Sequence, residues 1–495
     1  MIRTAWPINT AHFDLHQGAY GLGLYHNYST LVRWNLADGL KTVVGDLASK
    51  WETSPDGKTW TFTIRDGVKF HDGTPLTVAD VVASMERVIS PPQGIVSPNQ
   101  SHFMYVKQIK ALDDKRVQFV LDSPRGYFLW LLGQDFLVVY SKKELEKNNN
   151  DLRKVMIPTG TGPFKYVDYK HGEEVLYVRN PDYWDPKIPY LDGLRLAHVP
   201  NLADRGTAVL TGQADLTFGT AVTVWQEAQK RPDRFGVNQI PAGVQVVSIN
   251  ITREPFNDPR VRRAVHLALS RQIISQVYSR EQFNEVMRWV MPGNAYTLAT
   301  QDVEKLPGWR PQKEQDISEA KRLLTDAGFS GGIKDVDFLV PNAAWAAELV
   351  APSVQEQLKR NLNVELKIRL VERALVLPKM REGDYAFALE VQGAPVSDPS
   401  LFLTPLFRTG AGNNVARYSN KQVDDLLDKI EAELDQNRRI ELVRQLEDIL
   451  DKEVPSLILF AQSTAPVWAK YVKGLDLENR VKTNWGRLDT AWLDK

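Results

Sequence analysis

The chain has 495 residues, of which 43% are hydrophobic and 25% are charged, and its 61 basic side chains balance its 61 acidic ones. A prior of roughly 100–200 residues per domain predicts two to four folded units, and the balanced charge argues against nucleic acid as a partner. The absence of cysteine excludes disulfides and thiolate chemistry, and no run approaches the ~20 apolar residues of a membrane-spanning helix.

The first strongly patterned stretch begins with a strand. Apolar and polar residues alternate over Thr59–Ile64, "RDG" then predicts a turn, and "VKF" predicts the second strand of a hairpin. Thr77 stands as a helix N-cap with Asp80 three residues later, and a row of valines follows on one helix face. The sequence therefore predicts a strand, a turn, a strand, a turn and a helix.

Mixed α and β structure continues to the middle of the chain. The stretches "KYVDY" and "EVLYVRN" are separated by "KHGE" and predict a second hairpin. A strand in "LDGLRLAHVP" follows, then a helix from Ala203 to about Leu210 and a short strand at Asp215–Phe218.

The second half is typical of an α/β domain. A strand is predicted at Val244–Asn250, and Pro259 stands near the start of a helix whose apolar stripe is Val261, Val265, Leu269 and Ile273. A further helix is predicted with Ser318 as its cap and Gly328 as its stop. Two amphipathic helices and a buried strand, "SLILFAQ", complete the pattern.

His71 and Asp72 stand side by side in a turn. Such a pair would serve acid–base chemistry or a metal-dependent hydrolase, but the neighbouring threonines already have a use in the turn and the helix cap. The eight histidines are scattered without an HExxH spacing, and neither GxxxxGK[ST] nor GxSxG occurs. The sequence therefore favours a structural turn and predicts no catalytic site, no metal site and no cofactor.

Aromatic residues are numerous enough to line a binding cleft, with 13 Trp, 16 Tyr and 18 Phe. Most belong in the core, but Trp345 stands in the stretch "VPNAAWAAEL", which has the composition of a loop. We therefore predict that Trp345 contacts a ligand.

Blocks spread over nearly the whole chain resemble the extracellular solute-binding proteins of the peptide/nickel/opine type, which serve ABC importers. The blocks appear in the family's order: "WTFTIRDGVKFHDGTPLTVADVVASMERV", "PTGTGPFKYVDY", "VRNPDYWDPKIPYLDGLRL", "LTGQADL", "PFNDPRVRRAVHLALSRQII", "AKRLLTDAGF", "SDPSLFLTPLF", "YSNKQVDDLLDKI" and "DILDKEVPSLIL".

The resemblance implies an α/β, two-lobed periplasmic-binding-protein-like fold of type II, with an extra subdomain and a ligand cleft between hinged lobes. The implied division is lobe I at 1–36, an inserted subdomain at 37–166, lobe I again at 167–242, lobe II at 243–471 and a last part of lobe I at 472–495. The protein would be exported, with a leader removed ahead of Met1, and would act as a monomer that catalyses nothing. It would deliver its solute to a membrane permease and ATPase complex.

Ligand identity is where the sequence departs from the family. Peptide-binding members resemble one another in an acidic residue three positions before an Asp-Pro pair. In this chain the pair is Asp398 and Pro399, and the position of the acidic residue is occupied by Pro395. The stretch Phe338–Trp345 also lacks the arginine of dipeptide binders, and Gln392 and Val396 replace the aromatic residues of nickel receptors. A peptide or related small organic solute is expected, and an oligosaccharide, an opine or a metal chelate remains open.

By the same resemblance, stretches from both lobes face the ligand. The expected contact residues are Gln17, Gly18, Ala19, Tyr20 and Phe218 from the first lobe and Trp345, Gln392, Gly393, Ala394 and Pro395 from the second.

Overall fold

The computed structural model describes residues 1–6, 12–18, 23–35, 42–279, 283–292, 295–393, 398–475 and 488–495. The chain forms two compact units, one made of Met1–Ile240 with Thr464–Lys495 and the other of Pro241–Ser463. In these ranges, no helix has both the length and the apolar composition that crossing a membrane requires.

Strands and helices are interspersed along the described parts of the chain. The strands are β1 (Ile2–Trp6), β2 (Val32–Trp34), β3 (Val43–Gly45), β4 (Ala48–Thr53), β5 (Thr59–Ile64), β6 (Val106–Ala111), β7 (Arg116–Leu121), β8 (Phe164–Lys170), β9 (Glu174–Arg179), β10 (Gly193–His198), β11 (Leu216–Thr217), β12 (Phe235–Val237), β13 (Ile240–Ile249), β14 (Phe283–Glu285), β15 (Ile333–Pro341), β16 (Val364–Val371), β17 (Phe387–Gln392), β18 (Ser456–Thr464), β19 (Val467–Ala469), β20 (Val472–Lys473) and β21 (Trp492–Leu493). The α-helices are α1 (Val78–Ile89), α2 (Phe128–Leu131), α3 (Lys142–Lys147), α4 (Leu202–Leu210), α5 (Val222–Gln229), α6 (Pro259–Ala268), α7 (Arg271–Tyr278), α8 (Thr300–Val303), α9 (Glu314–Asp326), α10 (Ala351–Leu362), α11 (Arg373–Glu382), α12 (Pro399–Phe407), α13 (Lys421–Ala432) and α14 (Gln436–Glu453).

The first unit is built on a sheet whose strand order, within the described residues, is β12-β19-β11-β1-β10-β9-β8. Strand β1 is parallel to β10 on one side and to β11 on the other. A separate antiparallel sheet has the order β4-β5-β7-β6. Buried residues such as Leu194, Leu216 and Tyr177 pack on the larger sheet and form the core of this unit.

The second unit is built on a sheet with the order β14-β18-β13-β17-β15-β16 in the described residues. Strand β15 is parallel to both β16 and β17, whereas β13 is antiparallel to β17. Strand residues such as Phe338, Phe387 and Leu459 are fully buried under the helices, as the apolar composition of these strands requires.

Several predicted elements are confirmed. Helix α1 begins after Thr77, whose side chain accepts the backbone N–H of Asp80 while the Asp80 carboxylate accepts that of Thr77, which is a capping box. Strands β8 and β9 form the predicted hairpin, and β13, α13, α14 and β18 cover the strand, helices and strand predicted later in the chain.

The hairpin predicted from Thr59–Ile64 to "VKF" is wrong. Strand β5 pairs with β4 before it and with β7 much later, so that Phe62 lies between Trp51 and Val117. Both edges of the alternating strand are therefore occupied, and Val68 is buried outside any strand.

Two helix boundaries also differ from the prediction. The stripe that ends in Ile273 is split between α6 and α7, because Leu269 is extended and the Ser270 hydroxyl caps a new helix by accepting the Ile273 N–H. Ile273 is consequently 43% exposed. Helix α9 begins at Glu314, so Ser318 lies inside it, whereas Gly328 follows the helix with a φ of +91° as predicted.

One segment assigned to lobe II belongs to the first unit. The predicted boundary lies at 471, but β19 pairs with β11 and β12 in the sheet of the first unit. The chain therefore changes units after Ser463. The signal was hidden because Val467–Ala469 is a short apolar stretch whose sequence does not identify its partner strand.

Candidate functional site

A pocket lies at the edge of the second sheet where its parallel strands end. Strand β15 ends at Pro341, β16 at Val371 and β17 at Gln392. In open α/β sheets, ligands bind outside the carboxyl ends of the strands. A binding site in the second unit is therefore expected at this edge of the sheet.

The cavity at this edge has a volume of about 180 Å³. Because pockets for drug-sized ligands measure roughly 300–1,000 Å³, a cavity of this size holds one group of a ligand rather than a whole peptide. It is lined by Pro341, Trp345, Arg373, Val376, Leu377, Leu389, Glu390, Val391, Gln392 and Asn413. Trp345 and Gln392, which are far apart in sequence and were both expected to contact ligand, thus line the same pocket.

The sequence context of Trp345 predicts a loop, and this prediction is wrong. It begins a helical turn at Trp345–Val350 that continues into α10. Its ring meets the Tyr278 ring edge-on, with centroids 6.5 Å apart. The helix and Tyr278 therefore support a partly buried indole that presents apolar surface to the pocket.

Glu390 provides the carboxylate of the pocket. Its Oε1 accepts a hydrogen bond from Ser248 Oγ and its Oε2 accepts one from Gln392 Nε2, each at 2.5 Å. Burial raises the pKa of Glu390 to about 7, and the two hydrogen bonds oppose this shift only in part. Glu390 is thus a partly buried acid held by two neutral donors.

The Asp-Pro pair has a structural use. Asp398 caps α12 by accepting the Ser400 N–H, and its two oxygens accept hydrogen bonds from the Arg439 guanidinium at 2.8 and 2.9 Å. Tyr296 OH also contacts this guanidinium. The ion pair of Asp398 with Arg439 therefore fastens the start of α12 to α14, just after the expected site residues in the sequence.

In the first unit, the carboxyl ends of β10, β1 and β11 bring Trp6, His198 and Phe218 to one sheet edge. The rings of Trp6 and Phe218 meet edge-on, with centroids 5.1 Å apart. Phe218 is only 5% exposed, and its carbonyl accepts a hydrogen bond from Thr464 Oγ1 at 2.6 Å. Its ring is therefore mainly a core group, at an edge where ligand binding is chemically reasonable.

Gln17 and Gly18 are engaged within the first unit. Gln17 Nε2 donates to Asp14 at 2.9 Å and to Asp151 at 3.1 Å, so its amide joins two segments of the chain. Gly18 has a φ of +88° and ends the helical turn Leu15–Gln17.

The other expected contacts follow Gly18 or Gln392 in the sequence. Gly393 is exposed after β17, and a Cβ atom at this position would meet nothing within 4 Å. Ala19, Tyr20, Ala394 and Pro395 lie outside the described residues.

The His71–Asp72 pair fastens a turn. His71 Nε2 lies 3.0 Å from the carbonyl oxygen of Gly162, and burial lowers the pKa of His71 to about 4. Asp72 Oδ1 accepts from both the backbone N–H and the hydroxyl of Thr74. Over the described ranges, no group of three or more His, Asp or Glu side chains is arranged to hold a metal ion.

Sequence reasoning missed Glu390, Arg373 and Asn413 as pocket residues. A signal existed for Glu390, because the period of two in a strand places it on the same face as Gln392. No comparable signal existed for Arg373 or Asn413, which reach the pocket through the folding of α11 and of a loop.

Comparison with known proteins agrees with this architecture. A dipeptide-binding protein, DppE of Bacillus subtilis, is 25% identical over 95% of this chain and 88% of its own length. Heme-binding protein A of Haemophilus influenzae is 26% identical over 88% of this chain and 82% of its own length. The structure of the periplasmic binding protein DppA from Helicobacter pylori, in complex with the peptide STSA, aligns with a TM-score of 0.77 at 26% identity, covering 100% of this chain and 98% of that one.

The model of the bacterial extracellular solute-binding proteins, family 5 (middle region), matches residues 42–414. The match covers more than half of the chain and includes both the separate sheet β4-β5-β7-β6 and the pocket residues up to Asn413. The chain therefore belongs to the family 5 bacterial extracellular solute-binding proteins.

Proposed function

We propose that this protein is the substrate-binding receptor of an ABC importer and that it captures a peptide or a related small organic solute. The observation that carries the proposal is the pocket at the carboxyl ends of β15, β16 and β17 in a chain of this family. The receptor would pass its solute to a membrane permease and ATPase complex, and would work outside the cytoplasm as a monomer.

The chemistry of the pocket supports binding. Trp345 offers a flat apolar wall, whereas Gln392 and Asn413 offer amide groups that can pair with the peptide bonds of a ligand. Peptide binding through the backbone needs no activated nucleophile. Expected contacts from the first unit, Phe218 and the stretch Gln17–Tyr20, remain part of this proposal.

Relatives of this chain differ in the ligands named for them, which include dipeptides, a tetrapeptide and heme. A non-peptide ligand such as an opine, an oligosaccharide or a metal chelate is therefore the second candidate. The observation that favours it is Pro395, which stands where peptide-binding members are expected to have an acidic residue.

Catalysis has little support in the described residues. A hydrolase acting through His71 and Asp72 would need both groups free to meet a substrate. His71 instead contacts the carbonyl oxygen of Gly162, and Asp72 accepts hydrogen bonds from Thr74 in its own turn. We therefore propose a receptor without enzymatic activity.

Native mass spectrometry of the purified chain, followed by titration with pools of di- to pentapeptides, sugars and chelates, tests the proposal. We expect saturable binding of one pool and recovery of the bound molecule chemically unchanged. Conversion of the molecule into product, or saturable binding by none of the pools, would contradict the proposed function.

A further inference from the structure

The pocket of the second unit contains an acid without a cationic partner. Within the described part of the chain, Glu390 forms no ion pair, and both of its hydrogen bonds come from the neutral groups of Ser248 and Gln392. A partly buried carboxylate is costly unless a cation or several donors compensate it. Two neutral donors leave this compensation incomplete.

The elements around Glu390 are mostly uncharged where they face it. On β13, Val246 is its register partner and Ser248 is a donor, and on β15 the lining residue is Pro341. Near the start of β17, the Tyr385 hydroxyl donates to the Val415 carbonyl at 2.7 Å, and burial raises the Tyr385 pKa, so this group is neutral.

Helix α11 contributes Arg373, the one basic residue among the described residues that line the pocket. Its side chain is exposed, and it forms no ion pair with a carboxylate in the ranges that the structure describes. Farther along these elements, Arg369 is paired with Asp337 and Lys379 with Asp384. In the ranges that the structure describes, Glu390 therefore forms no ion pair with Arg373 or with any other cation.

The geometry points to an organic cation as the natural partner. A carboxylate that retains acceptor capacity lies in the same small cavity as the Trp345 indole. Carboxylates form charge-assisted hydrogen bonds with ammonium and guanidinium groups, and indole faces attract the same groups. The cavity volume of about 180 Å³ suits one such group with a short stem.

We propose that Glu390 is a specificity-determining residue that receives a cationic group of the ligand, so that capture is coupled to the ionisation of this carboxyl group. This inference rests on the proposed receptor function, and it specifies that the ligand carries a positive charge. The cation is either the N-terminal ammonium of a peptide or a basic side chain, which share the same chemistry.

The coupling between ligand binding and the ionisation of Glu390 predicts the direction in which affinity changes with pH. Because the pKa of Glu390 without ligand is about 7, the acid is mostly ionised at about pH 7.5 and mostly neutral at about pH 5.5. A cationic ligand binds the ionised form, so its affinity falls as the pH is lowered. The ionised fraction of Glu390 falls by about 25-fold over this interval, which sets the largest loss of affinity to be expected.

The test uses two matched pairs of probes, titrated into the full chain at about pH 7.5 and about pH 5.5. Ala-Ala-Ala and N-acetyl-Ala-Ala-Ala differ in the N-terminal ammonium. N-acetyl-Ala-Lys-Ala and N-acetyl-Ala-norleucine-Ala differ in the side-chain ammonium. The proteins compared are wild type, Glu390→Gln and the control Glu348→Gln, which makes the same charge change at an exposed site nearby.

We expect wild type and Glu348→Gln to prefer the cationic member of at least one pair by about tenfold or more at the higher pH. The preference should collapse at the lower pH, and Glu390→Gln should lack it at both. The pair that shows the effect identifies the source of the cation. If Glu390→Gln does not fold, as judged by thermal unfolding, the wild-type pH series still decides.

Equal binding of both members of each pair by wild type, or an unchanged preference in Glu390→Gln, would overturn the inference while leaving the receptor function standing. Failure of all four probes to bind would also overturn it. In that case the pool titration decides separately whether the protein is a receptor.

Discussion

Single side chains in this molecule divide into those that fasten the fold and those that face the pocket. Asp398 and Arg439 belong to the first group although they border the expected ligand loop. Each is less than 9% exposed, and their oxygens and nitrogens are paired. A buried ion pair of this kind loses much of its stability when only one partner is removed.

Arg439→Met should therefore lower the free energy of unfolding by about 3–5 kcal/mol, because Asp398 would remain buried without its cation. Urea unfolding followed by circular dichroism measures the change. Arg438→Met, at the exposed neighbouring position of α14, is the control and should change stability by less than about 0.5 kcal/mol. Equal stability of the two variants would show that the pair does not stabilise the fold.

Because burial lowers the pKa of His71, the free energy of unfolding should depend on pH. Its folded-state pKa of about 4 lies below the unfolded value, so between about pH 6.5 and pH 4 the unfolded chain binds a proton that the folded chain does not. The stability linked to His71 is complete above this window and is lost as the pH falls through it. The loss is at most about 3 kcal/mol.

His71→Gln should flatten this acid dependence and leave ligand affinity unchanged. Chemical unfolding at a series of pH values measures the first effect and a ligand titration measures the second. His171→Gln, at an exposed position, is the control. Loss of ligand binding in His71→Gln alone would contradict the structural role assigned to the turn.

At the scale of elements, the short strand β19 is held in the sheet of the first unit by strands that are distant in the chain. It lies between β11 and β12, and its Trp468 packs against Gly236, where a Cβ atom would overlap the indole. The close approach of backbone and ring explains why a residue without a side chain stands in β12.

Gly236→Ala should consequently destabilise the first unit by about 1–3 kcal/mol through overpacking. Differential scanning calorimetry of the full chain measures the shift of the transition. Gly331→Ala, where a Cβ atom meets nothing within 4 Å, is the matched control. A thermal profile of Gly236→Ala identical to that of the control would mean that β12 and β19 are not packed as described.

Local patterns predicted the elements better than their partners. The capping box of α1 and the hairpin β8–β9 depend on neighbouring residues, so the sequence contains the whole signal. The partners of β5 and of β19 are distant in the chain, and alternation alone does not identify them. The split between α6 and α7 depends on one serine, which apolar periodicity cannot detect.

At the scale of the whole molecule, membership of family 5 follows from the motif blocks and is confirmed by the family match over residues 42–414. The ligand does not follow from those blocks. The pocket residues Glu390 and Arg373 come from a strand end and a helix start that only the folded sheet edge brings together. The expected inserted subdomain at 37–166 stays a prediction, although β4–β7 form a sheet of their own.

The central claim is that this protein binds a small solute in the second-unit pocket without altering it. The most direct measurement is calorimetric titration of wild type, Trp345→Ala and the control Trp492→Ala, an exposed position of the first unit, with the solute that binds wild type. We predict that Trp345→Ala weakens binding about tenfold or more, as expected for loss of a buried aromatic contact, and that Trp492→Ala binds like wild type. Equal affinity of all three proteins would contradict the account.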